Sequence, residues 1–407
     1  MIDSSTSSRV DLTDVDLFME GRHHHVFSQL RANTPIYRNH AADGSAFWAI
    51  TRYEDVLWAY REHTLFSSSR GAILGGSYRS DEDSAGGKML VAMDLPRHRL
   101  LKQQLHRAFS TRVVDQVGKQ VRILIDQAVE RALAAGGCDF ATDIATELPA
   151  GALMVLLGIS HDQAHELIDL TRRMVGFRDE TFVDVGGDER LRLAWLQAEI
   201  FEFFVDIVDQ RRKNRQEDFV STLLDAQING RPLTDEEIFY NCMNLAVGGN
   251  ETSSYTACSG LQALIEHPEE LDRIQKDESL LGSAIEEILR WSSTNTYVQR
   301  VALRDIVRNG AEIKKGDSVT LWNISANRDD GQFESPHVFD VARTPNRHLS
   351  YGAGVHRCIG APIAQTELSY IFRRIISTGR SFTLASAPRR LRSNFIMGTT
   401  HMPVEVI

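Results

Sequence analysis

One unbroken helical pattern limits this chain's fold more than anything else in it: it opens at Thr234 and is stopped by Pro268. Thr234 with Glu237 three residues on is a capping-box signature. A helix of about 32 residues is roughly 48 Å long. That is the width of a whole domain, so the other elements must be arranged around it. Its middle, Asn244 to Thr256 (NLAVGGNETSSYT), works against helix chemistry, because Gly248 and Gly249 are followed by Asn, Glu, Thr and Ser where a buried helix should be apolar. Each glycine costs about 1 kcal/mol against alanine in a helix interior. Two readings stand: a kink or close helix crossing, or a groove cut for a ligand. The acid and hydroxyl directly after the glycines favour the groove.

The rest of the pattern is mainly α with a smaller β-rich region, expected to form a single domain over 1–407. A short helix is expected around Phe27, Leu30 and Arg31. A hairpin follows, Ile36–Arg38 and Phe47–Ile50, turning at Asp43-Gly44, and then a helix over 53–63. The Gly- and Ser-rich stretch from Phe66 to Ala92 is too long for a simple connection and is expected to be a lid or binding loop. From 94 to about 270 the pattern is almost all helical. Beyond it a helix (Leu281–Trp291), strands around 298–302, 306–313 and 318–324, an irregular stretch from Asn327 to Ser350 and a final helix over about 361–378 are expected.

Composition excludes several classes. An apolar fraction of 42% supports a sizeable core, and a net charge of −10 argues against a nucleic-acid binder. No run of 18 apolar residues appears, and the first residues (MIDSSTSSRVDLTD) are polar and acidic, so neither a spanning helix nor a signal peptide is expected. The four cysteines, at 138, 242, 258 and 358, have neither CxxC spacing nor the density of a disulfide scaffold, which points to a reduced, cytoplasmic compartment. Cys138, Cys242 and Cys258 read as small core residues. His23, His24 and His25 read as a solvated turn, since three consecutive side chains on a helix cannot face one ion.

The stretch around Cys358 carries the chemistry. Residues 349–360 read LSYGAGVHRCIG, with Gly352, Gly354 and Gly360 around a lone cysteine just before a helix. Glycines on both sides let backbone approach something large and flat and let amides point at the sulfur. Amide donors together with a metal favour a thiolate. One cysteine cannot build a tetrahedral zinc site, whereas thiolate ligation of haem iron needs only one.

This segment resembles the haem-binding loop of the cytochrome P-450 haem-thiolate monooxygenases, F-G-x-G-x-H-x-C-x-G, with Tyr351 in place of the phenylalanine. Three further motifs follow the family order. Gly248-Gly249-Asn250-Glu251-Thr252 resembles its oxygen-activation motif. Glu287 to Arg290 resembles its E-x-x-R, completed by Arg343 in Phe339–Arg343. Asp94-Leu95-Pro96-Arg97-His98 with Lys102 resembles its propionate-reaching helix, with Leu95 for proline and Lys102 for arginine. The resemblance spans nearly the whole chain and implies a fold of about a dozen helices with a small β-rich region.

It also implies roles. Cys358 would ligate the iron of haem b. His98, Lys102, Arg300 and His356 would pair the propionates, with Tyr351 and Gly352 beside the cofactor. Gly248 and Gly249 would let the long helix lie against it. Thr252 would hydrogen-bond the activated oxygen and hold a proton-delivering water, and Glu251 would relay protons from solvent. The alternative for Thr252 is a hydroxyl bonded back to a carbonyl of its own helix. Glu287, Arg290 and Arg343 would be structural. The implied substrate lining is Ile73, Leu74, Met89, Val91, Asn244, Leu245, Thr294, Val298, Ile396 and Met397, with Asn244, Thr294, Asn295 and Thr296 available for polar groups.

Dioxygen is the implied co-substrate, with NAD(P)H supplying electrons through a ferredoxin reductase and a ferredoxin to a monomeric enzyme. Local charge fits that partner: Arg97, Arg99, Lys102, Arg107 and Arg112 occupy 97–112 without an acid, and Arg343, Arg347 and Arg357 lie in an acid-free stretch from Val341 to Thr366. Three functions follow: oxygen insertion into a natural-product intermediate (peptide, polyketide or carrier-bound amino acid), oxidative coupling or nitration at the same haem, and a non-catalytic haem sensor. The Glu251-Thr252 pair counts against the last.

Overall fold

The computed structural model describes residues 10–42, 44–73 and 84–407; Asp43 of the expected turn and Leu74 of the expected lining lie outside them. Helices α1 (Val15–Met19), α2 (His23–Asn33) and α3 (Tyr53–Arg61) flank the first hairpin. Then come α4 (Arg97–Leu105), α5 (Thr111–Ala135), α6 (Phe140–Asp143), α7 (Glu147–Leu157), α8 (His161–Val175), α9 (Glu189–Lys213) and α10 (Phe219–Asp225). The long helix is α11 (Asp235–Glu266), followed by α12 (Pro268–Lys276), α13 (Leu281–Ser292), α14 (Asn323–Ala326) and α15 (Ala361–Ser377).

The capping box at the start of α11 is formed: Glu237 N–H donates to Thr234 Oγ1 (3.3 Å) and Thr234 N–H to the Glu237 carboxylate (2.8 Å). The helix runs unbroken through Gly248 and Gly249 for 32 residues. The close crossing sits further along, at Gly260, where an added Cβ would lie 2.5 Å from Phe372 of α15 and 2.7 Å from Ile288 of α13. Pro268 both stops α11 and opens α12, at a position where its missing N–H costs nothing.

Two large apolar clusters lie against α11. One joins it to α5, α7, α13 and α15 through residues such as Val121, Leu148, Leu261, Ile288 and Phe372. The other joins its first turns to α4, α8, α9 and α10 through Leu101, Leu167, Phe204 and Leu223. The segment Phe140–Leu157 has a mean hydropathy of 1.4, but 78% of it is buried inside the fold, so its apolar character belongs to this core.

The β region is a five-stranded sheet in the order Ile36–His40, Ala46–Ile50, Ser318–Trp322, Tyr297–Ala302, Phe66–Ser67. The hairpin expected from the sequence pairs Ile36 with Ile50, and Ser318–Trp322 joins it in parallel. Several expectations are corrected. Residues 306–313 form a hairpin, Ile306–Arg308 with Ala311–Ile313, because Asn309 (φ +49°) and Gly310 (φ +80°) turn the chain in the left-handed region. Residues 323 and 324 begin α14 instead of ending a strand. The helical region is interrupted by Gln227–Ile228 paired with Arg231–Pro232, and by Gly137–Asp139, which joins a sheet with the C-terminal strands. His23 is not a solvated turn. It opens α2 fully buried, stacked on Phe18 at 5.2 Å, with Phe18 stacked in turn on Trp322. That burial lowers its pKa to about 4.

Candidate active site

The Cys358 segment is folded by its glycines. Gly352 (φ +63°) and Gly354 (φ +67°) adopt left-handed backbone, and a Cβ on Gly354 would sit 2.5 Å from the Tyr60 carbonyl oxygen. Cys358 N–H donates to the Tyr351 carbonyl (2.9 Å), closing the loop just before α15. Burial pushes the Cys358 thiol up, while the amides of Gly360 and Ala361 and the charges of Lys102 and Arg357 draw it back down. These are the donors a thiolate needs. Cys358 nevertheless has an exposed side chain. A thiol that deep yet accessible opens onto an internal hollow. Gly248 and Gly249 tell the same story on α11: both are exposed and a Cβ on either would meet nothing within 4 Å, although Ala246, Asn250 and Glu251 beside them are buried.

Basic groups gather nearby. The rings of His98 and His356 lie 4.1 Å apart. Burial, then Arg300, His98 and Lys102, push His356 down to about 2, and burial with Lys102 and Arg300 pushes His98 to about 4. Arg300 is 5% exposed and forms no ion pair with a carboxylate among the described residues, although Asp94 acts on it from further off; its Nη1 donates to the Gln299 carbonyl (2.6 Å). A buried guanidinium without an anion, beside two histidines driven neutral, suits a guest carrying carboxylates. Ser68 orders this corner, its Oγ 3.1 Å from His356 Nε2 and its N–H on Asp94 (2.8 Å). Lys102 departs from expectation. Its Nζ donates to the carbonyls of Val355 (2.8 Å) and Arg357 (2.7 Å), so it braces the cysteine loop and keeps one donor at most for a propionate. The thiol, the hollow at the glycine pair and the unpaired Arg300 together fit haem.

Thr252 and Glu251 are placed differently from the simplest reading. Thr252 Oγ1 donates back to the Gly248 carbonyl (2.8 Å), the alternative set against its catalytic role; its oxygen lone pairs stay open to accept. Glu251 is fully buried and reaches no solvent. Its carboxylate is 3.5 Å from Arg172 Nε and 3.5 Å from Thr171 Oγ1, both on α8, and Asn250 Nδ2 donates to the same Thr171 hydroxyl (3.0 Å). Burial raises the Glu251 pKa, and Arg172 opposes that rise. Sequence reasoning missed Thr171, Arg172 and Asn250 because two of the three come from another helix. It also missed Glu367 on α15, a buried acid bonded by Ser253 next to Thr252. Tyr351 packs against the α13–α15 core with its hydroxyl buried and unpartnered.

The expected substrate lining divides. Ile73, Met89, Val91, Asn244, Leu245, Val298 and Met397 retain open surface. Thr294 and Thr296 are 4% and 0% exposed, with their hydroxyls turned to Thr256 (2.8 Å) and to the Phe395 carbonyl (3.0 Å), so burial keeps both from a substrate's polar group. Asn295 accepts from Asn323 (3.2 Å), and Ile396 is 4% exposed in a small cluster with Val175, Tyr255 and Leu391. These residues hold the tail turn in place. Glu287, Arg290 and Arg343 meet as one network: Glu287 accepts from Arg290 (2.7 and 2.8 Å) and from Arg343 (3.1 and 3.2 Å), all well inside the fold.

Known proteins place these features. The family model Cytochrome P450 matches residues 16–390. Cytochrome P450 NovI of Streptomyces niveus is 31% identical over 100% of this chain and 98% of its own length. Linalool 8-monooxygenase of Pseudomonas putida is 30% identical over 98% and 99%. Among solved structures, P450 OxyD, involved in the biosynthesis of vancomycin-type antibiotics, superposes with a TM-score of 0.86 at 29% identity over 98% of this chain and 99% of that one. The polyketide synthase cytochrome P450 PksS of Bacillus subtilis gives 0.83 at 26% identity over 95% and 97%. With its motifs, its fold and these full-length relatives in agreement, the chain belongs to the cytochrome P450 family and is a haem-thiolate monooxygenase.

Proposed function

We propose that this P450 inserts one oxygen atom of dioxygen into a natural-product intermediate, by hydroxylation or epoxidation, as a single cytoplasmic domain fed by NAD(P)H through a ferredoxin reductase and a ferredoxin. The observation that carries the reading is the open space at Gly248–Gly249 directly beside Thr252 and Glu251. Cys358 would hold haem b, Arg300, His98 and His356 would pair its carboxylates, and the group would supply the redox chemistry for dioxygen. The chain supplies the protons and the shape. Thr252, its own hydrogen given to the Gly248 carbonyl, offers only acceptor capacity and so fixes a water or hydroxyl that donates toward it. Glu251, pushed up by burial, holds a proton more readily than an exposed glutamate, and the Arg172 guanidinium beside it favours the carboxylate and so favours giving that proton up. Asn244 and Leu245, on the turn before the glycines, give the lining a mixed polar and apolar character. The natural-product class is supported by the biosynthetic roles in the names of OxyD and PksS.

A library of peptide, polyketide and carrier-bound amino acid intermediates should be screened for a ligand-induced shift of the Soret band. Hits are then turned over with ferredoxin, reductase and NAD(P)H, and the product is weighed. A gain of one oxygen supports the proposal. Loss of two hydrogens assigns oxidative coupling instead, and reductant use that never depends on any ligand overturns it.

A further inference from the structure

Away from the haem site, two helices bring together three side chains that the monooxygenase chemistry does not use. Glu147 opens α7, and His161 and His165 stand one turn apart at the start of α8. The turn that presents the histidines is fixed by a capping box, Ser160 with Gln163, so the pair shares one face of the helix before anything binds. Glu147 is 6% exposed and both of its oxygens are engaged: Oε2 lies 2.8 Å from His161 Nε2, and Oε1 lies 3.5 Å from His165 Nε2. The third edge of the triangle, His161 Nε2 to His165 Nε2, is 3.2 Å.

Protons alone serve this triangle badly. Each ring nitrogen carries one hydrogen or one lone pair. If His161 Nε2 donates to Glu147, its only hydrogen is spent, and His165 must approach with a lone pair to share it. If His165 donates instead, the bare lone pair of His161 faces the carboxylate at 2.8 Å. With both rings protonated, two N–H groups meet at 3.2 Å. A cation at the centre turns all three lone pairs into bonds. Ligands about 2.0–2.1 Å from one ion, at octahedral to tetrahedral angles, are separated by about 2.9–3.4 Å; the two histidine nitrogens, 3.2 Å apart, fall inside that range, and the two carboxylate contacts, 2.8 Å to Oε2 and 3.5 Å to Oε1, lie just outside its two ends.

We propose that Glu147, His161 and His165 bind a divalent transition-metal cation of the zinc class, clamping α7 to α8. Two imidazoles and one carboxylate form a borderline donor set that suits Zn²⁺ and disfavours the oxygen-seeking Ca²⁺ and Mg²⁺. The side chains of His161 and His165 are 40% and 33% exposed, so the ion enters from solvent and water completes its coordination. The clamp lies at the start of the helix whose later residues, Thr171 and Arg172, touch Glu251.

The test uses the purified, haem-loaded enzyme after chelator treatment, titrated with Zn²⁺ calorimetrically at neutral pH, with the thermal midpoint read with and without the metal. One equivalent should bind and the midpoint should rise, because an ion that binds only the native state stabilises it. His161→Ala, His165→Ala and Glu147→Gln should each weaken binding by more than the roughly tenfold that loss of a supporting hydrogen bond costs, and should abolish the rise. His25→Ala, an exposed histidine elsewhere, should behave as the parent. The metal-free midpoints and the reduced CO spectra of the variants show that each is folded and haem-loaded, and Glu147→Gln tests the site without making a cavity. Equal Zn²⁺ binding by the parent and the His161→Ala/His165→Ala double variant overturns the proposal, as does no binding by the parent up to about 100 µM.

Discussion

Glu367 is an acid with no cation paired to it among the described residues. It is 2% exposed, bonded by the Ser253 hydroxyl, and burial pushes its pKa up to about 8. In the native protein it therefore keeps its proton across a range where the unfolded chain has lost it. Its contribution to stability is fully present below pH 4.5 and drains away as pH rises toward 8. Glu367→Gln, which still accepts from Ser253, should flatten that window: little change in thermal midpoint at pH 5, a higher midpoint than the parent at pH 8. Parallel curves for parent and variant would mean that the acid is already ionised. Thr252→Ala should leave haem content and ligand-induced spin shifts near parental while diverting reductant into hydrogen peroxide, because the role proposed for its side chain begins only once oxygen is bound. Equal coupling in both proteins would move the proton path elsewhere. Cys358→Ala should lose the strongly red-shifted Soret band of the reduced CO complex; a band that survives would break the ligand assignment. Cys358 was legible in the sequence because its glycines fall within a few positions of it. Glu367 was not, because Ser253 is 114 residues away and only tertiary packing brings them together.

Elements were read best where their signals are local. The start and stop of α11 are written in Thr234, Glu237 and Pro268, and all three act as the sequence predicts. The hairpin at 306–313 was read as one strand although Asn309-Gly310 is a turn signal, because the apolar residues before it (Ile306, Val307) and after it (Ala311, Ile313) lie close enough together to pass for one run. His23 was misplaced because a histidine triplet looks polar; it is buried against Phe18, which stacks in turn on Trp322, 299 positions from the histidine. The glycine pair shows the limit of local reasoning. Groove and helix crossing were both sound readings of Gly-Gly, and the helix contains both, with the crossing at Gly260. The Glu287 network ties α13 to the irregular stretch before the cysteine loop. It also accepts from Asn346 Nδ2 (3.0 Å) and the Asp340 N–H (3.0 Å), and Arg290 spends Nη1 on the carbonyls of Asn327 and Pro336. Glu287→Gln removes the carboxylate that balances Arg290, the one acid paired with it among the described residues. Breaking a buried pair from one side costs about 3–5 kcal/mol. Denaturant unfolding should show a loss of that size, with haem occupancy falling in step. A variant within 1 kcal/mol or so of the parent would show that the backbone carbonyls alone hold the arginines.

At the scale of the molecule, an acidic chain would have to attract the acidic ferredoxin proposed as its electron donor. The net charge is −10, yet the helix that braces the cysteine loop and the turn after it are basic. The structure sorts these charges. Arg97 is spent on Glu237, Arg343 on Glu287, and Lys102 on two loop carbonyls. Arg112 pairs with Glu217 at the surface, where both side chains are exposed. Among the described residues, Arg99, Arg107, Arg347 and Arg357 remain exposed without an ion pair, and a groove of about 500 Å³ between α5 and α15, lined by Val114, Pro362, Thr366 and Tyr370, gives partly apolar footing. Charge there acts through solvent over roughly 8–10 Å at physiological salt. Removing one such charge should change the donor's apparent affinity by roughly two- to fivefold at low salt. Arg107→Gln/Arg112→Gln should therefore weaken reduction by an acidic ferredoxin and make it less sensitive to salt, with ligand-induced spin shifts unchanged. Glu217→Gln should move the other way, because it both deletes a repelling carboxylate and frees the Arg112 guanidinium to meet the donor. The three proteins should rank Glu217→Gln, parent, double variant at low ionic strength and converge as salt is raised. Reduction kinetics that ignore all three substitutions would place the donor on another face, and a Glu217→Gln that weakens binding would mean the Arg112 pair holds the docking surface in shape instead of masking it.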